Sequence, residues 1–263
     1  MAETGTLESW VVRPAPKPEP RLRLFCFPYA GGSASVFRGW SSDLPRDVEV
    51  CAIQLPGREN RFAEPPFAQL AALTDALAVA IRPYLGPAFL LFGHSMGALI
   101  AYELARRLRS EGQRGPVRLY VSAHRAPHLP GRDPPIHHLP ESEFVAELGR
   151  LNGTPADVLA NTQLRELMLP MLRADFTLSE TYVHASGELL ECSIFALAGE
   201  DDDVVEPDDM LPWKEHTRGT FALRTLPGDH FFLHSARELV LGALHEDLLG
   251  LLASAPGSPD RER

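Results

Sequence analysis

The chain has no excess of positive charge, no long apolar run, few cysteines and no nucleotide-binding fingerprint, and each absence removes a class of function. Its 263 residues carry 25 Lys and Arg against 35 Asp and Glu, a formal net charge of −10. Nucleic acid is therefore not the expected partner, because phosphate binding needs a basic field. No run of about eighteen apolar residues occurs, so no membrane span is expected. The three cysteines, Cys26, Cys51 and Cys192, are odd in number and lie in apolar strand-like runs. They read as reduced core residues rather than a disulfide or metal set. Neither G-x-G-x-x-G nor G-K-[ST] is present, which argues against a phosphate cradle. His137 and His138 are adjacent, so in an extended segment they face opposite ways, and no further ligand spacing supports zinc. The polar, acidic start at 1–8 lacks the basic-then-apolar order of a signal peptide, and the expected compartment is the cytoplasm.

What is present is the composition of a globular α/β protein, 44% hydrophobic and 23% charged. Strand-like runs at 23–27, 48–53, 117–121, 193–197 and 221–226 alternate with helical ones. Phe67, Leu70, Ala71, Thr74, Leu77 and Ile81 fall at helical spacing, and Trp40 belongs to a short helix. The last helix is expected over 235–252. This alternation predicts a mostly parallel central sheet flanked by helices. The rhythm breaks at 124–185, where prolines cluster at 127–140 and helical patterns follow at 143–151 and 164–182. The expected organisation is an extended lead-in at 1–20, a core formed by 21–123 and 186–252, a helical lid subdomain at 124–185, and a disordered tail at 253–263.

Gly93-His94-Ser95-Met96-Gly97 follows the apolar run 87–92 and precedes a helix-forming segment at 98–108. G-x-S-x-G at a strand-to-helix junction is a nucleophile elbow, a turn so tight that small residues must flank the serine. The hydroxyl is a poor nucleophile without a base. In such folds the order is Ser, then Asp or Glu, then His. His230 follows the strand 221–226 in Pro227-Gly228-Asp229-His230, where a loop at the strand's C-terminal edge can reach the serine. His234 is the weaker candidate, and His94 reads as local packing. The acid is expected in the loop after 193–198, which reads Glu200-Asp201-Asp202-Asp203; Asp202 is taken first, then Asp203, Asp201 and Glu200. One oxyanion donor is expected to be the Met96 amide, the other an amide of Pro28-Tyr29-Ala30-Gly31-Gly32, with Ala30 the candidate. Arg106, Arg107, Arg109, Arg114 and Arg118 read as a solvated face rather than a docking patch.

Five segments together resemble the type II thioesterases, stand-alone editing hydrolases of polyketide and non-ribosomal peptide synthases: 24–32, 54–59, 92–97, 172–175 and 227–232. The same pattern occurs in the oleoyl-carrier-protein hydrolase of animal fatty acid synthesis. The resemblance implies an α/β-hydrolase with a helical lid that hydrolyses acyl or aminoacyl thioesters on the phosphopantetheine arm of acyl or peptidyl carrier proteins. It maps the triad onto Ser95, Asp202 and His230, and the oxyanion amides onto Met96 and Ala30. No cofactor is implied beyond the pantetheine of the substrate. The chain departs from the family in the acidic loop, which lacks the proline expected after Asp202. Docking of an acidic carrier is expected to be transient, guided by Arg58, Arg61 or the 106–118 group. The rivals are a carboxylesterase or lipase, a medium- or long-chain acyl-carrier hydrolase, an acyltransferase, and an inactive carrier-binding module.

Overall fold

The computed structural model describes residues 9–254; residues 1–8 of the expected lead-in and 255–263 of the expected tail lie outside them. Ala253 and Ser254, placed in that tail by sequence, instead end the last helix, because its apolar face continues to Leu252. Seven strands form one sheet in the order β1-β3-β2-β4-β5-β6-β7. They are β1 (Val11–Val12), β2 (Leu22–Phe27), β3 (Val48–Ile53), β4 (Ala88–His94), β5 (Arg118–Ser122), β6 (Ser193–Gly199) and β7 (Phe221–Leu226). All neighbours run parallel except β1, which pairs antiparallel with β3 through Val11–Ile53. The lead-in thus contains a short edge strand, not foreseen because two residues carry no periodicity of their own. The prolines from Pro14 to Pro20 leave the chain few amides with which to extend that edge.

The helices are α1 (Trp40–Asp43), α2 (Leu70–Ile81), α3 (Met96–Ser110), α4 (Glu141–Arg150), α5 (Ala156–Ala160), α6 (Thr162–Glu180), α7 (Pro207–Met210), α8 (Phe232–Ser235) and α9 (Arg237–Ser254). Side chains alternate across β2 and send its residues into two cores. Phe25 and Phe27 join α2 and α3 on one face, while Leu22, Leu24 and Cys26 join Trp40 and the α9 residues Val240, Leu244 and Leu248 on the other. Covered on both faces, the central strands are apolar almost throughout instead of alternating. The fully buried polar exceptions are bonded: His94 and Ser122 at the C-terminal ends of β4 and β5, and Glu49 in β3, whose carboxylate accepts from Arg23 at 2.5 Å and Arg13 at 3.3 Å. Cys26, Cys51 and Cys192 are free and buried, and burial pushes the Cys51 thiol up to about 12, away from nucleophilic reactivity.

Residues 124–185 run between β5 and β6 as a helical insertion containing α4, α5 and α6. It has a core of its own in Ile136, Phe144, Leu148, Leu169, Met171 and Leu172. Short α5 had no sequence signal. The N-terminus of α6 is capped by Asn161, whose Oδ1 accepts from the Leu164 amide. The last helix, expected over 235–252, is α9 over 237–254, and the short α8 precedes it.

Candidate active site

Ser95 occupies the turn between β4 and α3 with φ 52° and ψ −123°, a region that non-glycine residues rarely enter. Its amide donates to the Ser122 carbonyl of β5 at 2.8 Å, and this bond helps hold the turn. The flanking glycines are steric necessities. A Cβ on Gly93 would lie 2.0 Å from the Gly97 carbonyl oxygen, and one on Gly97 would lie 2.1 Å from that of Phe27. The elbow therefore fits only because both side chains are hydrogen atoms.

Two further loops leave the same C-terminal edge of the sheet, where parallel α/β folds gather their ligands. The loop after β7 brings His230 Nε2 to 3.0 Å from Ser95 Oγ. The loop after β6 brings Asp202 to the other ring nitrogen, Nδ1, with Oδ2 at 2.9 Å and Oδ1 at 3.1 Å. A carboxylate can only accept here, so Nδ1 carries the proton and Nε2 is left to accept from the Ser95 hydroxyl. Asp202 Oδ1 also accepts from the Val204 and Val205 amides, each at 2.9 Å. Asp202 is 4% exposed, whereas Glu200, Asp201 and Asp203 all face solvent. Burial separates four residues that composition could not.

His94 and His234 do not reach the serine through any hydrogen bond. His94 is fully buried, with Nε2 2.8 Å from the His230 carbonyl and Nδ1 2.9 Å from Ser122 Oγ. A carbonyl only accepts, so His94 Nε2–H donates and anchors the backbone of His230 to the end of β4. His234 Nε2 lies 2.8 Å from Tyr29 Oη.

Met96 and Ala30 line the same cavity as Ser95 and His230, which holds about 320 Å³. The Met96 amide is the first of α3 and has no acceptor inside the helix. The insertion supplies apolar wall through Ile136, Leu148, Leu172 and Phe176. Gly153 of the insertion lies against Phe231, next to the candidate base; a Cβ there would sit 2.7 Å from the ring.

The structure overturns one expectation. Arg58 and Arg61 are 5% and 3% exposed and cannot meet a carrier protein. Arg58 is paired with Asp175, and Arg61 with Glu64 while stacked 3.9 Å over the Trp10 ring. Neither burial was visible in sequence, because the ion-pair partner of Arg58 and the ring under Arg61 lie far along the chain. Four members of the 106–118 arginine group are paired: on α3, Arg106 with Glu103, Arg107 with Glu111 and Arg109 with Glu188, and on β5, Arg118 with Asp247. A shallow groove of about 750 Å³ lies along that face and contains none of Ser95, Asp202 and His230. His137 is engaged with Glu180 at 2.6 Å.

Three histidines have strongly lowered pKa values, and of these His124 lines the cavity and His94 bonds to the His230 carbonyl. Burial holds His94 well below the ordinary imidazole range, and burial also brings His124 to about 4. His216 falls to about 4 through burial and then its neighbours His128 and His184; its ring is 2.6 Å from His128 and 2.8 Å from Tyr102 Oη. Each stays neutral in the fold while the unfolded chain protonates below about pH 6.5, so the unfolded state binds more protons there. Stability is accordingly expected to fall as pH drops from about 6.5 toward 4, where the folded histidines begin to titrate. Thermal melts across that window check this, and His216→Gln should flatten the decline; a melting temperature constant from pH 7 to 4.5 would contradict it.

The model of the thioesterase domain family matches residues 22–248. The chain belongs to the thioesterase domain family. Its sheet order and helical layers are those of the α/β-hydrolase thioesterases. The chain is 42% identical over 251 residues to linear gramicidin dehydrogenase LgrE of Brevibacillus parabrevis, covering 94% of this chain and 95% of that protein. It is 41% identical over 253 residues to the gramicidin S biosynthesis protein GrsT of Aneurinibacillus migulanus, covering 96% and 99%. Among solved structures, the type II thioesterase BorB from the borrelidin biosynthetic cluster superposes with a TM-score of 0.82 at 39% identity, over 90% of this chain and 97% of that one. The resemblance carried by five short motifs thus extends over almost the whole thioesterase.

Proposed function

We propose that this thioesterase is an editing hydrolase that clears acyl or aminoacyl groups from the phosphopantetheine arms of carrier proteins in polyketide or non-ribosomal peptide synthesis. The observation that carries the reading is the unbroken hydrogen-bonded line Ser95–His230–Asp202 at an apolar cavity, in a chain of this family. The names of GrsT and BorB, both tied to biosynthesis of a natural product, support the pathway class. The word dehydrogenase in the name of LgrE does not transfer: the dinucleotide fingerprint is missing from the sequence, and the turn after the first parallel strand reads Pro28-Tyr29-Ala30-Gly31-Gly32 instead.

In this reading His230 Nε2 takes the Ser95 proton as Oγ attacks the thioester carbonyl. Asp202 holds the imidazole in the required tautomer and stabilises the imidazolium. The Met96 and Ala30 amides receive the developing oxyanion, a contribution of about 3–4 kcal/mol per well-placed donor. The C–S bond breaks and the pantetheine sulfur leaves, with a proton returned from His230. Thiols of this type have a pKa of about 8.5, so departure needs less acid help than that of an alcohol. Water, deprotonated by His230, then attacks the ester on Ser95 and releases the acid. The chemistry uses only groups of the chain, and we assign it no metal or redox cofactor. The helical insertion acts as a lid whose apolar wall excludes competing water and limits the acyl group.

The test compares acyl-carrier thioesters with soluble oxygen esters of equal chain length. The expected result is a kcat/KM at least about tenfold higher for the carrier thioester, a margin of roughly 1.4 kcal/mol. Faster turnover of the free oxygen ester would favour a carboxylesterase, and transfer to an added alcohol in preference to water would favour an acyltransferase.

A further inference from the structure

We infer that the buried ion pair Arg58–Asp175 is a positioning device for the loop that presents the Ala30 amide, an inference that rests on the oxyanion role proposed above. The two residues are 117 positions apart. Arg58 follows β3, and Asp175 lies on α6 of the insertion. They meet fork to fork: Nη2 donates to Oδ1 at 2.8 Å and Nη1 to Oδ2 at 2.9 Å. This bidentate form fixes direction as well as distance.

The pair does not close on itself. Asp175 Oδ2 also accepts from the Gly31 amide at 2.8 Å, and Arg58 Nη1 also donates to the Gly32 carbonyl at 2.9 Å. The two residues directly after Ala30 are thus gripped by opposite charges, one at its amide and the other at its carbonyl. Between them the Gly32 amide donates to the Tyr29 carbonyl at 2.9 Å, closing a turn with Ala30 and Gly31 in its centre. Gly31 has φ +80°, the value of the third residue of a type II turn. Type I and type II turns differ in which way that central peptide faces. By accepting from its N–H, Asp175 selects the form seen here.

The same helix packs on the loop through Leu172, one turn before Asp175. A Cβ on Gly31 would lie 2.8 Å from Leu172 Cδ2, so any side chain there would displace Leu172 as well as strain a φ of +80°. Leu172 also lines the cavity. The α6 face of the insertion is therefore fastened to the catalytic loop rather than free to swing. Arg58 and Asp175 touch no reacting atom and act through Ala30.

Asp175→Ala and Arg58→Met each leave one buried charge with no polar partner in place and are expected to lose stability. The test therefore uses Asp175→Asn, which still offers Arg58 a carbonyl acceptor, and Arg58→Lys, which keeps the charge, with melting temperature read beside the kinetics. Asparagine keeps the shape and one oxygen for Arg58 Nη1 and the Gly31 amide, but its NH₂ cannot accept from Arg58 Nη2, so the fork and the negative charge are lost; lysine keeps the charge but not the fork. The measurements are kcat and KM on an acyl-pantetheine thioester, the inhibition constant of a trifluoromethyl ketone analogue, and the melting temperature. The ketone forms a tetrahedral adduct on Ser95 whose oxygen occupies the oxyanion position. Each variant is expected to lose about 10²-fold in kcat and a similar factor in ketone affinity, with KM held within about twofold. Wild-type kcat in both variants would overturn the inference, and so would a loss of kcat with ketone affinity unchanged. Normal turnover by Ser95→Ala would instead remove the proposed function itself, which separates the two failures.

Discussion

Replacing Ser95 with alanine is expected to lower kcat for thioester hydrolysis by about 10⁴–10⁶-fold, and replacing His230 with alanine by a similar factor. The double replacement should fall hardly further. The two side chains act in one proton transfer across the 3.0 Å between Oγ and Nε2, so losing either removes the whole step. Whatever rate remains would come from the amides of Met96 and Ala30 and from binding. Steady-state turnover of one acyl-pantetheine thioester by the three variants measures this. Losses that multiply would show that the residues act separately, and retention of rate by Ser95→Ala would show that another group attacks.

Asp202→Asn is expected to cost about 10⁴-fold in kcat with little change in stability. The reason is tautomeric. Oδ1 of residue 202 already accepts from the Val204 and Val205 amides, so an asparagine keeps its oxygen there and turns its NH₂ toward His230 Nδ1. The ring must then accept at Nδ1 and carry its proton on Nε2, where it can no longer take one from Ser95. Glu200→Gln, Asp201→Asn and Asp203→Asn should leave kcat near wild type, since all three side chains face solvent. A larger loss at Asp203 than at Asp202 would refute the assignment.

Much of the frame was legible because it is written locally. The strand bounds 48–53 and 221–226 coincide with β3 and β7, both apolar runs bounded by turn residues. Ser95 and His230 announce themselves through a short motif and through chain order. Asp202 was harder, since four adjacent carboxylates differ only in which one the loop turns inward. What sequence could not convey is pairing over distance. Arg58 looked like a surface cation available for docking until its partner, 117 residues later, placed it in the interior. His94 read as packing, and only its bond to the His230 carbonyl shows that it steadies the loop of the base. The edge strand Val11–Val12 exists only through its register with β3.

Within this account the sheet fixes the reacting groups, and the insertion both walls the cavity and, through α6, grips the loop of the second oxyanion donor. The central claim is that the acyl group passes through an ester on Ser95. It is tested most directly by rapid-quench intact mass and peptide mapping during turnover of an acyl-carrier thioester. The account predicts a transient acyl adduct on the peptide containing Ser95, formed with release of one equivalent of carrier thiol and absent from Ser95→Ala. Turnover with no such adduct, continuing undiminished in Ser95→Ala, would contradict it.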